Sequence, residues 1–155
     1  MKLQKATEIA LYAVLELAID PARQLTAVEI AEKYGISTHH LAKVLRDLGR
    51  GGLVDSVRGV GGGYRFAGDA KRLSLMDVIS LFEDVGADTD EPPPQAAGQE
   101  IARGLRFVLT ELDTQSAATL RSISLSTMLK LVTRRPWAAA AAEAKPRRRA
   151  ARHVR

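Results

Sequence analysis

The sequence predicts a mainly α-helical fold that carries one small β-hairpin. Three observations predict it. Apolar residues recur at helical spacing over residues 3–19 and again over 101–120. Two capped helical stretches meet at Gly35. Two short apolar-bearing runs flank the glycine cluster Gly59, Gly61, Gly62 and Gly63.

The first helix carries Leu3, Ala6, Ile9, Ala10, Ala13, Val14 and Leu17 on one face. Asp20-Pro21 ends it, because proline disfavours helical geometry in the residue before it. Thr26 caps a second helix, with Glu29 at the capping-box distance and Ile30 and Ala31 facing inward. Gly35 follows Tyr34 as a C-terminal glycine. Ser37 caps a third helix whose inward stripe is Leu41, Val44, Leu45 and Leu48. After Gly51-Gly52, the runs Leu53 to Arg58 and Tyr64 to Ala67 read as a hairpin with a glycine-rich tip. Ser74 caps a fourth helix through Leu75, Val78, Ile79 and Phe82.

Residues 86–99 are polar, acidic and proline-rich, which reads as a loop. A long helix follows with Ile101, Leu105, Val108, Leu109, Leu112 and Leu120 on one stripe. Ser124 then caps a short helix through Leu125, Met128, Leu129 and Val132. From Arg134 onward Ala, Arg and Lys leave little to bury, so a disordered tail or a frayed helix is expected. No internal repeat is visible.

Composition bounds the function classes. The chain is 46% hydrophobic and 26% charged, ordinary for a soluble globular protein. No run of apolar residues is long enough to span a bilayer, so no membrane association is expected. The stretch Ile9 to Ile19 contains Glu16 and has amphipathic spacing, which argues against a signal peptide and for a cytoplasmic location. With no cysteine, disulfides, thiolate zinc sites and thiolate-held iron–sulfur clusters are excluded. The net charge of +5 is unevenly spread. Residues 1–72 hold 11 Lys/Arg against 8 Asp/Glu, residues 73–133 hold 4 against 9, and residues 134–155 hold 8 against 1. The basic balance is therefore mostly the tail's, and the front of the chain must be judged by its pattern.

That pattern is informative. Three helices followed by a hairpin, with a glycine turn between the second and third, form a winged helix-turn-helix. The major groove of DNA, about 12 Å wide, admits one α-helix with an apolar back and a polar front. Opposite the inward stripe of the third helix lie Thr38, His39, Ala42, Lys43 and Arg46. Small Ala42 permits close approach, and Lys43 and Arg46 lie where phosphates would pass. In the wing, Arg58 stands on a tip stripped of side chains, able to enter a minor groove or grip a phosphate. A plain tight turn is the alternative for that tip. A nucleotide phosphate loop fails on spacing, since the third glycine it needs falls at Tyr64.

The stretch Ser37 to Leu48, then Gly52-Leu53-Val54, Ser56-Val57-Arg58-Gly59 and Gly61-Gly62-Gly63-Tyr64, resembles the Rrf2 family of bacterial regulators. Its members include the iron–sulfur assembly regulator and the nitric-oxide-sensing repressor, and His40-Leu41 followed by Lys43-Val44 is similar to the latter branch. The resemblance covers about residues 1–84, and the long helix agrees in position. It implies a homodimer paired through that helix, with two recognition helices on a palindromic operator in double-stranded DNA. By motif position it implies base or phosphate contacts from Ser37, Thr38, His39, His40 and Lys43, with Arg58 in the wing. Cluster-binding relatives carry three cysteines in the loop before the long helix, whereas the loop here offers only Asp88, Asp90 and Glu91. Carboxylates are poor ligands for an iron–sulfur cluster, so no such cofactor is expected.

Four segments result: residues 1–84 as a winged helix-turn-helix head, 85–99 as a loop, 100–133 as a dimerisation helix with a short helix after it, and 134–155 as a basic tail. The candidate DNA contacts are Thr26, Ser37, Thr38, His39, His40, Lys43, Arg46, Arg58, Gly59, Gly61, Gly62 and Tyr64. The candidate dimer contacts are Ile101, Leu105, Val108, Leu109 and Leu112. No metal site is expected, because adjacent His39 and His40 diverge by about 100° on a helix. His153 has no evident partner, and Glu83-Asp84 lacks any nucleophile or base beside it, which argues against an enzyme. The tail reads equally as a source of phosphate attraction or as a solubilising end. The expected function is a DNA-binding transcription regulator of repressor type. The competing reading is a winged helix that docks a protein, since fold alone does not separate the two.

Overall fold

The computed structural model describes residues 2–85 and 100–134. The 86–99 loop and all of the basic tail beyond Arg134 lie outside the described residues. The elements run α1 (Lys5–Ile19), α2 (Ala27–Tyr34), α3 (Thr38–Arg50), β1 (Val54–Val57), β2 (Gly63–Phe66), α4 (Leu75–Ile79), α5 (Glu100–Ser122) and α6 (Leu125–Arg134). The mainly helical fold with one hairpin is thus the fold observed.

The caps act as the sequence implies. Thr26 Oγ1 accepts from the Glu29 amide at 3.1 Å, and Glu29 Oε2 accepts from the Thr26 amide at 2.7 Å. Two orphan donors at the start of α2 are satisfied reciprocally. Gly35 takes the left-handed conformation at φ 63°, and the Ile36 amide turns back to the Ala31 carbonyl at 2.9 Å. That closes α2 and leaves only Gly35, Ile36 and Ser37 between it and α3.

One core unites the head. Ile9, Ala13, Val14 and Leu17 of α1, Ile30 of α2, and Leu41, Val44, Leu45 and Leu48 of α3 are buried together with Val54 and Phe66 of the hairpin. The strands pair antiparallel, with Val54 opposite Phe66 and Asp55 opposite Arg65. The chain entering α2 joins them: the Leu25 and Tyr64 amides exchange bonds with each other's carbonyls at 2.9 and 2.8 Å. The wing is therefore fastened to the base of the helix-turn-helix.

Two features depart from the sequence reading. α4 stops at Ile79 and does not run through Phe82. Ser80 Oγ donates to the Met76 carbonyl at 2.8 Å, and the Leu81 and Phe82 amides reach back only three residues, so the last turn tightens and ends. α6 also does not extend the long helix's territory. Its Leu125 is fully buried in the head's core, and the Leu75, Leu125 and Ser126 amides stitch the α5–α6 junction to residues 70–75. By packing, α6 belongs to the head.

α5 is the exception to this compactness. Of its 23 residues only Ala117 is buried. Ile101, Leu105, Val108, Leu109 and Leu112 are all more than half exposed, with Ile101 at 86%. No helix among the described residues is long and apolar enough to cross a membrane.

Candidate nucleic-acid interface

Burial of Leu41, Val44, Leu45 and Leu48 fixes which face of α3 looks outward. Thr38, His39, Lys43 and Arg46 are exposed on that face, while His40 and Ala42 are half-buried at its edges. Ser37 caps the helix through a long contact, its Oγ accepting from the His40 amide at 3.5 Å.

The wing stands beside this face. Gly59 and Gly61 adopt φ 106° and 76°, conformations that a side chain disfavours, and they turn the tip tightly. A Cβ on Gly62 would collide with the Val57 carbonyl, so that position also requires glycine. Between α3 and the wing lies a cleft of about 600 Å³. Ala42 and Gly49 keep its α3 wall low, while Arg46, Arg50 and Arg58 line it together with Ser56 and Tyr64. Asp55, also in the lining, is paired with Arg65 across the hairpin at 3.3 Å. Lys43, Arg46 and Arg58 enter no ion pair among the described residues. Their charges stay available to an external anion, whereas Arg50 is paired with Asp47 at 3.5 Å. The guanidinium groups of Arg46 and Arg58 facing one open cleft suit a polyanionic backbone.

The candidate residues do not all fall in one place. Thr26 sits at the start of α2 with its hydroxyl committed to the capping box, donating to Glu29 Oε2 at 2.9 Å. Tyr64 is half-buried, and its backbone is spent on Leu25. Two residues the sequence reading did not single out belong to the site. Arg50 lines the cleft one turn after Arg46, a spacing that was legible in the sequence. Val60 is wholly exposed at the wing tip, where its apolar side chain buries against none of the described residues.

The family model Rrf2, an iron-dependent transcriptional regulator, matches residues 3–131. The chain belongs to the Rrf2 family. BadM of Rhodopseudomonas palustris, placed by its name among the HTH-type transcriptional regulators, is 53% identical over 132 residues, covering 85% of this chain and 83% of its own. Among solved structures, IscR of T. potens superimposes with a TM-score of 0.69 at 25% identity, over 88% of this chain and 91% of that one. CymR of B. subtilis shares the fold, with a TM-score of 0.62 at 23% identity over 84% and 97% of the two chains. This Rrf2 chain is thus a transcriptional regulator with a DNA-binding winged helix, and not an enzyme.

Iron dependence is part of the family's description, and this member carries no thiolate donor. The chain has no cysteine. Among the described residues no group of three or more His, Asp or Glu is placed to hold a metal ion. These residues do not fit a thiolate-held cluster.

Proposed function

We propose that this Rrf2 protein is a cytoplasmic, sequence-specific repressor that binds a palindromic operator as a homodimer, without an iron–sulfur cluster. The observation that carries the proposal is the pairing of two exposed features on one chain. One is the polar front of α3 beside the arginine-lined wing cleft. The other is the bare apolar stripe of α5. The first suits a major groove flanked by phosphates. The second is an amphipathic helix face left largely uncovered by the described residues, and a second copy covers it most simply by a two-fold, self-complementary contact. A two-fold dimer presents two α3 helices to two half-sites, and an operator with matching symmetry follows. Repression then needs only occupancy of a promoter. The relatives named above are regulators of the same fold class, which supports the reading.

The test is footprinting of the protein on its source genome, followed by measurement of the bound stoichiometry. The expected result is protected inverted repeats that bind two chains per site. Protection without symmetry, or one chain per site, would overturn the palindromic dimer. Absence of any preferred sequence would favour a protein-docking role for the winged helix.

A further inference from the structure

A second cleft, of about 270 Å³, lies away from the wing, where α1, α2 and α6 meet. Its apolar walls are Leu15 and Ile19 of α1, Leu129 and Val132 of α6, and the rings of Tyr12 and Tyr34. The two rings stack with centroids 5.1 Å apart and planes 9° from parallel. One polar corner completes the cleft and is internally neutralised. Glu16 accepts from Lys33 Nζ and from Tyr34 Oη, at 2.6 Å each.

We propose that this cleft binds a small, neutral, planar compound of one or two rings, and that occupancy is transmitted to the recognition helix α3. Volume sets the size, since the cleft falls below the usual range of about 300–1,000 Å³ for drug-sized ligands. Charge sets the neutrality. Glu16 and Lys33 already neutralise each other at 2.6 Å, so a charged ligand of either sign finds no free counter-charge in the cleft. Aromatic walls favour a flat ring over a globular one, because ring faces and edges attract through their quadrupoles. Lys33 donates once to Glu16 and keeps further N–H groups for a single acceptor on the ligand. Transmission follows from position. Tyr34 is the last residue of α2, and only Gly35, Ile36 and Ser37 separate it from α3. A ligand that displaces the Tyr34 ring moves the residue from which that turn departs.

The experiment is an amide-resolved NMR titration of the full chain with quinoline and coumarin. Cyclohexanecarboxamide serves as a non-planar control and naphthalene-2-sulfonate as an anionic one. Saturable shifts around Tyr12, Tyr34 and Leu129 that extend to Gly35–Ser37 are expected from the planar neutral probes. Val132→Trp fills the cleft from its exposed rim and should weaken binding at least tenfold at unchanged melting temperature. Should that variant misfold, Ile19→Trp closes the cleft from the opposite, more exposed rim. The ligand site is overturned if neither probe saturates, if the filled variants bind as well as wild type, or if the controls bind as tightly. Conversion of the filled variants to monomers would also overturn it, by assigning the cleft to a second copy. Shifts that stop short of Gly35 would overturn the transmission. No DNA enters the titration, so a failure of the operator reading leaves this result standing.

Discussion

A Cβ placed on Gly63 would lie 2.6 Å from the carbonyl oxygen of Leu25 and 2.9 Å from its carbonyl carbon. Both contacts are with backbone, and Leu25 is held there by its paired bonds to Tyr64, so neither side has room to give. The first strand residue after the wing tip is therefore glycine because the wing is pressed against the chain entering α2. Gly63→Ala should destabilise the fold by roughly 1–3 kcal/mol, the scale of an overpacked site. Chemical denaturation measures that loss. DNA affinity should fall further than the stability change explains, because the wing swings away from α3. Wild-type stability in this variant would mean that the wing is not fixed to Leu25.

The Glu16–Tyr34–Lys33 corner makes stability depend on acid pH. Burial raises the carboxyl of Glu16, but hydrogen bonds from Lys33 and Tyr34 and the nearby cations outweigh it, so the group ends below its ordinary value. Tyr34 moves the other way, raised first by burial and then by its bond to the Glu16 carboxylate. A depressed carboxylate contributes stability that is complete above the unfolded value, about 4.3, and is lost as pH falls through the folded value. Glu16→Gln should therefore cost roughly 1–2 kcal/mol near neutrality, the scale of a charge-assisted hydrogen bond. It should also flatten the loss of stability as pH falls below about 5. Melting curves across that window decide it, and parallel curves for the two proteins would discard the assignment.

Much of this was legible in the sequence because the signals were local. Thr26 with Glu29, Gly35 after Tyr34, and Ser37 before a clean apolar stripe each specify a short-range geometry, and the structure has all three. The glycine tip with Arg58 was equally local. What stayed hidden needed contacts between distant segments. The Tyr12–Tyr34 stack joins residues from two helices, and nothing in either local pattern announces it. α6 reads as an accessory of the long helix, yet the bonds tying Leu125 and Ser126 to Leu73 and Ala70 carry it into the head. Arg50 reads in the sequence only as a cation one turn after Arg46, because its place in the cleft depends on where the wing stands.

The exposed stripe of α5 leads to an oligomeric prediction. Completing the burial of Leu105, Val108 and Leu112, each a little over half exposed, contributes roughly 1 kcal/mol apiece, about half of the value for a fully exposed side chain. Light scattering at low micromolar concentration should give about twice the chain mass of 16.8 kDa. Leu105→Asp with Val108→Asp should yield monomers that keep the helical signal of the head, since neither residue enters its core. A wild-type monomer that still binds operator tightly would remove the basis for the dimer.

The purified protein should be colourless and free of iron, even when prepared without oxygen. The motivation is the chain's lack of cysteine in a family described as iron-dependent. Metal analysis and the visible spectrum check this directly. Stoichiometric iron with acid-labile sulfide would require ligands other than thiolates and would refute the assignment.

The last prediction concerns where sequence specificity resides. Base-edge contacts discriminate sequence, while phosphate contacts add affinity to every duplex alike. Thr38 and His39 are exposed at the start of α3, the end of a recognition helix that meets base edges. Thr38→Ala or His39→Ala should therefore weaken operator binding more than random-duplex binding, by about 1–3 kcal/mol where a good base contact is lost. Arg46 and Arg50 line the cleft toward the wing, where a phosphate strand would run, so Arg50→Ala should weaken both duplexes similarly. Deleting residues 138–155 should do the same and lower the salt dependence, because fewer counterions are released. Arg58→Ala should fall between these classes, since an arginine in a minor groove reads groove width as well as charge. Fluorescence anisotropy with operator and scrambled duplexes at several salt concentrations separates the three behaviours. Equal losses on both duplexes for the Thr38 and His39 variants would show that the base-reading residues lie elsewhere on α3 or in the wing.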